Sequence, residues 1–152
     1  MSKLLCTLSL FFLLPAGVGY RHAGKYVLPN AVVTPGLVRS ADANYVCYGS
    51  STRTFRLTTE EQKKQVCTAY SVSHCPWEGH MEIDHLIPLE LGGADDVKNL
   101  WPQPAPDYKY KDKLENELHR LVCSGKVSLS AAQDEIKTDW TLSYRKRFRP
   151  LP

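Results

Sequence analysis

Apolar side chains recur at Tyr110, Leu114, Leu118, Leu121 and Val122, the spacing of one helix face, and Gly125 just past Cys123 is a stop signal. Pro102, Pro104 and Pro106 forbid helix before Asp107, which is an acceptable N-terminal cap. A second helical period carries Ala132, Ile136 and Trp140 on one side, opened by a capping box of Ser130 and Gln133. Thr58 and Glu61 make a similar box, and Val66, Ala69 and Tyr70 share a face, so a short helix is predicted to run to about Tyr70. Between these helices, "MEIDHLI" and "KNLWPQ" read as strands around a turn holding Pro88, Gly92 and Gly93, which makes the hairpin irregular. From Tyr20 to Arg56 the chain is rich in Val, Tyr, Thr, Pro and Gly, the composition of short strands and turns. With 152 residues, no internal repeat and no linker, the pattern predicts one compact α+β domain built around a strand, strand, helix unit.

The first residues alter the compartment. Lys3 precedes an apolar run from Leu4 to Pro15, and small residues follow where a signal peptidase would cut, most simply after Gly19. The run is too short to span a bilayer. Residues 1–19 are therefore expected to be a secretory signal, with residues 20–152 the mature domain, secreted and without a membrane anchor. Cys47, Cys67, Cys75 and Cys123 remain, an even number in an oxidising compartment, so two disulfides are expected. Three pairings are possible, and nearness in sequence favours Cys67 with Cys75, leaving Cys47 for Cys123. The absence of a CxxC pair argues against a zinc knuckle made of these cysteines.

The net charge of +3 falls to +2 once Lys3 leaves with the leader, which permits nucleic-acid binding without demanding it. The closing "YRKRFRP" interleaves Arg145, Lys146, Arg147 and Arg149 with Tyr144 and Phe148; it reads equally as a solvated tail and as a phosphate-tracking arm.

Chemistry concentrates at the end of the first hairpin strand, where Asp84 and His85 are adjacent. Neighbours in a strand face opposite ways, so the two share a target only if the backbone bends. A neutral imidazole suits proton abstraction from water, and a hard divalent cation held by carboxylate and amide oxygens would steady the charge on a phosphodiester in hydrolysis. A second metal ligand is expected from the start of the following helix. Arg53, Arg56 and Lys111 are candidate phosphate contacts. Asp112 and Glu115 read as the exposed side of their helix, Trp101 as a core aromatic, and His74 and His80 as surface residues.

Asp84, His85, Pro88, Leu89, Gly92, Gly93, Asn99 and Leu100 follow the spacing D-H-x-x-P-L-x-x-G-G-x5-N-L, and with the continuation "LWPQP" and "KDKLENEL" the chain resembles the HNH endonucleases of the ββα-metal superfamily, specifically a small exported subgroup. The resemblance runs from roughly Thr34 to Trp140, with the core motif over residues 80–123. It implies a metal-dependent endonuclease in which His85 is the general base, Asp84 a metal ligand, and Asn99 the brace that orients the histidine. The final His or Asn of the family motif is missing, and Asp107 stands near that point as the expected second ligand. Mg²⁺, or else Mn²⁺, is the expected cofactor, and DNA or RNA with little sequence preference the expected substrate. Two rival readings are an HNH-fold binding protein that has lost catalysis and an exported effector acting on another partner.

Overall fold

The computed structural model describes residues 19–49, 58–75 and 80–148. The expected leader, apart from Gly19, and Arg53 and Arg56 lie outside the described residues.

Near the N-terminus β1 (Arg21–Ala23) pairs antiparallel with β2 (Tyr26–Leu28). A short helix follows, α1 (Ala43–Tyr48), where strands and turns were expected. Its residues have little intrinsic helix preference. The Asp42 side chain accepts from the Asn44 N–H at its start, and Cys47 is bonded to Cys123 of a later helix. Next come α2 (Glu60–Ala69), the antiparallel hairpin of β3 (Met81–His85) and β4 (Leu100–Pro104), then α3 (Asp107–Cys123) and α4 (Leu129–Arg147). The described chain is thus α+β, with four helices and two small two-stranded sheets.

Three helix starts differ from expectation by a residue or two, each because a polar side chain is used elsewhere. The α2 box is Thr59 with Gln62 rather than Thr58 with Glu61, since the Thr58 hydroxyl donates to Asp95 Oδ1 at 2.6 Å. Ser128, not Ser130, caps α4 through the Ala131 N–H, and Gln133 is buried with its amide donating to the carbonyls of Ser40 and Leu91. Pro106 occupies the cap position of α3, and Asp107 is the first helical residue. Within α4, Asp139 leaves helical geometry, and its carboxylate accepts from the backbone N–H groups of Thr141 and Leu142 as a fresh N-terminal cap. The helix is two rods meeting at a kink.

The β3–β4 hairpin divides the apolar interior. On one side Ile87 and Leu91 pack with Leu114, Leu118 and Val122 of α3, with Ile136 and Trp140 of α4, and with Tyr26 and Leu28 of β2. On the other, Leu86, Leu100 and Trp101 pack with Val66 and Tyr70 of α2. Leu86 and Ile87, adjacent in sequence, thus anchor opposite clusters and fix the chain leaving β3. Trp101 is fully buried, as a core aromatic.

The connection between the strands is crowded enough to require two glycines. Gly92 has φ +77°, and a Cβ there would lie 2.4 Å from the Ser40 carbonyl oxygen. A Cβ on Gly93 would lie 1.9 Å from the Ile87 carbonyl oxygen. Neither position tolerates a side chain without moving backbone.

Both sulfur pairs are at bonding distance, Cys47–Cys123 at 1.94 Å and Cys67–Cys75 at 2.11 Å, the pairing that nearness in sequence favoured. Such pairs fit an extracellular protein. Among the described residues no helix is long and apolar enough to cross a membrane.

The sequence separations of the bridges, 76 and 8, rank their expected contributions. Loop closure gives about 4.5 kcal/mol for Cys47–Cys123 and about 2.5 kcal/mol for Cys67–Cys75. In urea unfolding, the double Cys→Ser variant at Cys47 and Cys123 should lose more stability than the one at Cys67 and Cys75; equal losses would contradict the ranking.

Candidate active site

β3 ends at His85, and the backbone turns away immediately. Asn99 makes that turn possible: its Oδ1 accepts from the Ile87 N–H at 3.0 Å, and its Nδ2 donates to the carbonyls of Ile87 and Ala94, both at 2.9 Å. The residue is fully buried, and its backbone carbonyl also accepts from the Leu86 N–H. One amide side chain thus replaces the ladder bonds that the strands lose where they part. The result brings Asp84 and His85, which a regular strand would send to opposite faces, onto one open cavity of about 560 Å³. Thr58 and Lys63 border it from the α2 side, Glu82 from β3, Glu90 from the turn, and Asp112, Glu115 and Asn116 from α3.

His85 is held by a residue that the sequence did not single out. Its Nε2 lies 2.9 Å from Asp95 Oδ1, and the same carboxylate oxygen accepts from Thr58. Gln62 of α2 donates to the Asp95 backbone carbonyl at 3.3 Å. The carboxylate fixes the proton on Nε2, so the lone pair resides on Nδ1, which makes no hydrogen bond with the described residues. Burial lowers the pKa of His85, against the opposing pull of the Asp95 hydrogen bond and the charges of Asp84 and Asp95. The imidazole is accordingly kept neutral and able to accept a proton.

Lys111 is placed differently from the phosphate contact expected of it. It has no exposed surface, and its ammonium donates to Asp84 Oδ2 at 2.6 Å, to the His85 carbonyl at 2.7 Å, and to Glu115 Oε1. Three donors meet three oxygens, which leaves none for a substrate. Burial alone would lower the lysine pKa, but the Asp84 and Glu115 charges more than reverse this and hold it raised. Glu115 is pushed up to about 8 by burial, even with Lys111 beside it. Burial also raises Glu90. Gln103, with its amide turned to satisfy both neighbours, donates to Asp84 Oδ2 at 2.7 Å and accepts from the Tyr108 N–H at 3.3 Å. Both partners of Asp84 sit on Oδ2; Oδ1 makes no bond with the described residues.

Asp107 is not part of this constellation. It lines a separate cavity with Lys25, Tyr26, Val27 and Tyr110, and its carboxylate accepts from the Val27 backbone. Burial raises its pKa. Its position at the helix start was foreseen, but its direction was not: one turn before Lys111, it shares the inward stripe, whereas Asp112 and Asn116 face the cavity. The hard oxygen donors that accompany Asp84 therefore come from later in α3.

A second grouping lies elsewhere. His119 Nε2 and the sulfurs of Cys47 and Cys123 fall within 4.8 Å of one another, a set that could hold a metal ion were the sulfurs thiolates. With the sulfurs joined as a disulfide, the imidazole is the one remaining donor of the three. Comparison of the chain with protein-family models, curated proteins and solved structures gives no match.

The raised Glu115 carboxyl generates a stability prediction. A carboxyl whose pKa is higher folded than unfolded binds its proton more tightly in the folded chain, so stability falls as pH rises from about 4.5 toward about 8. Glu115→Gln, which keeps an acceptor for Lys111, should make that decline smaller, leaving the share of the other raised carboxyls, Glu90 and Asp107. Urea midpoints in EDTA at about pH 5 and about pH 8 test it: a decline of the same size in the variant would show that Glu115 is not its source.

Proposed function

We propose that this chain is a divalent-metal-dependent endonuclease of the HNH type, hydrolysing phosphodiester bonds of DNA or RNA with His85 as general base. The observation that carries the reading is the His85–Asp95 pair, with the unbonded Nδ1 on a cavity whose other donors are hard oxygens.

The donor set fits Mg²⁺ or Mn²⁺. Asp84 has an uncommitted Oδ1 from β3, while Asp112 and Asn116 stand on the cavity from α3. Asn116 uses Nδ2 on the Asp112 carbonyl, which leaves its Oδ1 for a cation. No thiolate or second imidazole is among the lining side chains, and carboxylate and amide oxygens suit hard cations. When bound, the cation supplies Lewis-acid stabilisation of the charge developing on the phosphate and leaving oxygen.

The chain's own residues do the rest. Asp95 keeps the His85 proton on Nε2 and the ring in one orientation. His85 Nδ1 takes the proton of the attacking water. As the ring becomes cationic, the Asp95 carboxylate stabilises it. Lys111 offsets part of the negative charge of Asp84 and Glu115 from beneath, which eases the crowding of carboxylates on one cavity. Asn99 holds the turn that aims the imidazole.

Purified protein should cut plasmid DNA or RNA with Mg²⁺ and not with EDTA, and His85→Ala should lose ~10²- to 10⁴-fold in rate. Asp95→Asn should lower kcat more than it raises KM. Asp112→Ala should raise the Mg²⁺ concentration needed for half-maximal rate, whereas Asp107→Ala should leave it unchanged. Full activity in His85→Ala would sink the mechanism, and a Mg²⁺ dependence altered by Asp107→Ala but not Asp112→Ala would return the ligand to the helix start.

A further inference from the structure

The cavity poses an electrostatic problem for a polyanion. Glu82, Asp84, Glu90, Asp112 and Glu115 all line it, and Lys63, the one lining cation among the described residues, is paired with Glu60 at 2.6 Å. Lys111 is committed beneath the surface to Asp84 and Glu115. Among the described residues, uncommitted positive charge for a phosphate backbone lies outside the cavity.

The cations of α3 and α4 sort into two groups. Arg120 is held by Glu117, and Lys146 and Arg147 by Glu135. Lys109, Lys113 and Arg145 are exposed and make no ion pair with the described residues. On α3, Lys109 and Lys113 lie three residues before Asp112 and Asn116 respectively, so they form the adjoining strip of helix surface at the cavity rim. Their Cβ atoms, one turn apart, are about 5–6 Å from each other, close enough to address neighbouring phosphates of one strand.

Aromatic packing fixes this strip against α4. The Lys113 ammonium stands 4.2 Å from the Phe148 ring centroid, Phe148 packs on Tyr144 at 4.7 Å, and Tyr144 meets Tyr110 edge-on at 5.8 Å. Arg145, between Tyr144 and Phe148 in the chain, donates to Thr141 Oγ1 at 3.2 Å. The closing basic stretch is helical through Arg147, and it divides: Arg147 and Lys146 are ion-paired to Glu135, and Arg145 makes no ion pair with the described residues.

We propose that Lys109, Lys113 and Arg145 form the track that holds the sugar–phosphate backbone of a nucleic-acid strand as it leaves the cavity across α3 and α4. The inference rests on the nuclease reading and deepens it. It assigns affinity and cleavage to separate residues: cations on the helix rim hold the strand, and the acidic cavity cuts it. Contacts to phosphate alone imply little sequence preference and a strong dependence on salt.

The test uses full-length mature protein carrying His85→Ala, with Mg²⁺ and fluorescein-labelled single- and double-stranded oligonucleotides, read by anisotropy over a salt series. Adding Lys109→Glu and Lys113→Glu should weaken binding by about tenfold or more and reduce the salt slope by roughly 1–2. The same charge change at Lys98 and Lys126, which lie off this strip, should leave the slope within error. Lys109→Gln with Lys113→Gln gives the neutral version, and Arg145→Gln a smaller loss. Unchanged melting temperatures confirm that each variant is folded. If reversal at 109 and 113 weakens binding no more than reversal at 98 and 126 while the parent chain cuts normally, the track is wrong and the nuclease reading stands. A parent that neither binds nor cuts overturns both.

Discussion

A single buried ammonium sets where α3 lies. Lys111 has no contact with solvent, so its charge is tolerable only where oxygens surround it, and those come from two elements: Asp84 and the His85 carbonyl on β3, and Glu115 on its own helix. Docking α3 elsewhere along the hairpin would strand a charge in the interior, a cost of several kcal/mol. The apolar contacts of Leu114, Leu118 and Val122 favour burial in general, but they are not directional. The ion cluster specifies one placement, and with it the side chains that α3 turns toward the cavity.

The same cluster explains how an acidic site can sit so close to the core. Two carboxylates beside one ammonium leave a net negative charge near His85, and burial shifts part of that burden into a raised Glu115 pKa. Asp95 meets the imidazole at Nε2, on a loop held by Thr58 and Gln62. Both sides of the imidazole's surroundings are thereby fixed: Lys111 from α3 through the His85 carbonyl, and the α2 region through Asp95.

Much of this was legible in the sequence, for physical reasons. The period of Leu114, Leu118 and Val122 gave α3, and the proline series fixed where it begins. Pro88, Gly92 and Gly93 announced an irregular turn, and the connection between the strands has two positions closed to a Cβ; the resemblance assigned Asn99 the bracing role, and its amide bonds Ile87 there. What the sequence hid was direction. Asp107 was read from its place at a helix start, yet the helical turn that carries it inward with Lys111 sends it to β2. Lys111 itself offered a usable sign, a cation on the stripe of Leu114, Leu118 and Val122, where only a paired charge can persist. Asp95 offered almost none, because a carboxylate in a polar loop has no periodicity and its partner is ten residues away.

The Cys47–Cys123 bridge has a topological consequence. Every described residue that borders the cavity, from Thr58 to Asn116, lies within the covalent ring it closes, and the Cys67–Cys75 bridge is nested inside that ring. The β1–β2 hairpin and α4 are branches attached outside it. A protease that severs one peptide bond between Cys47 and Cys123 opens the ring without separating its halves, so the nicked chain keeps both sides of the cavity tethered and able to reassemble. A cut between Cys123 and Leu129 has no such safeguard: it leaves α4, with Ile136, Trp140 and Tyr144 of the larger apolar cluster, held by noncovalent contacts alone.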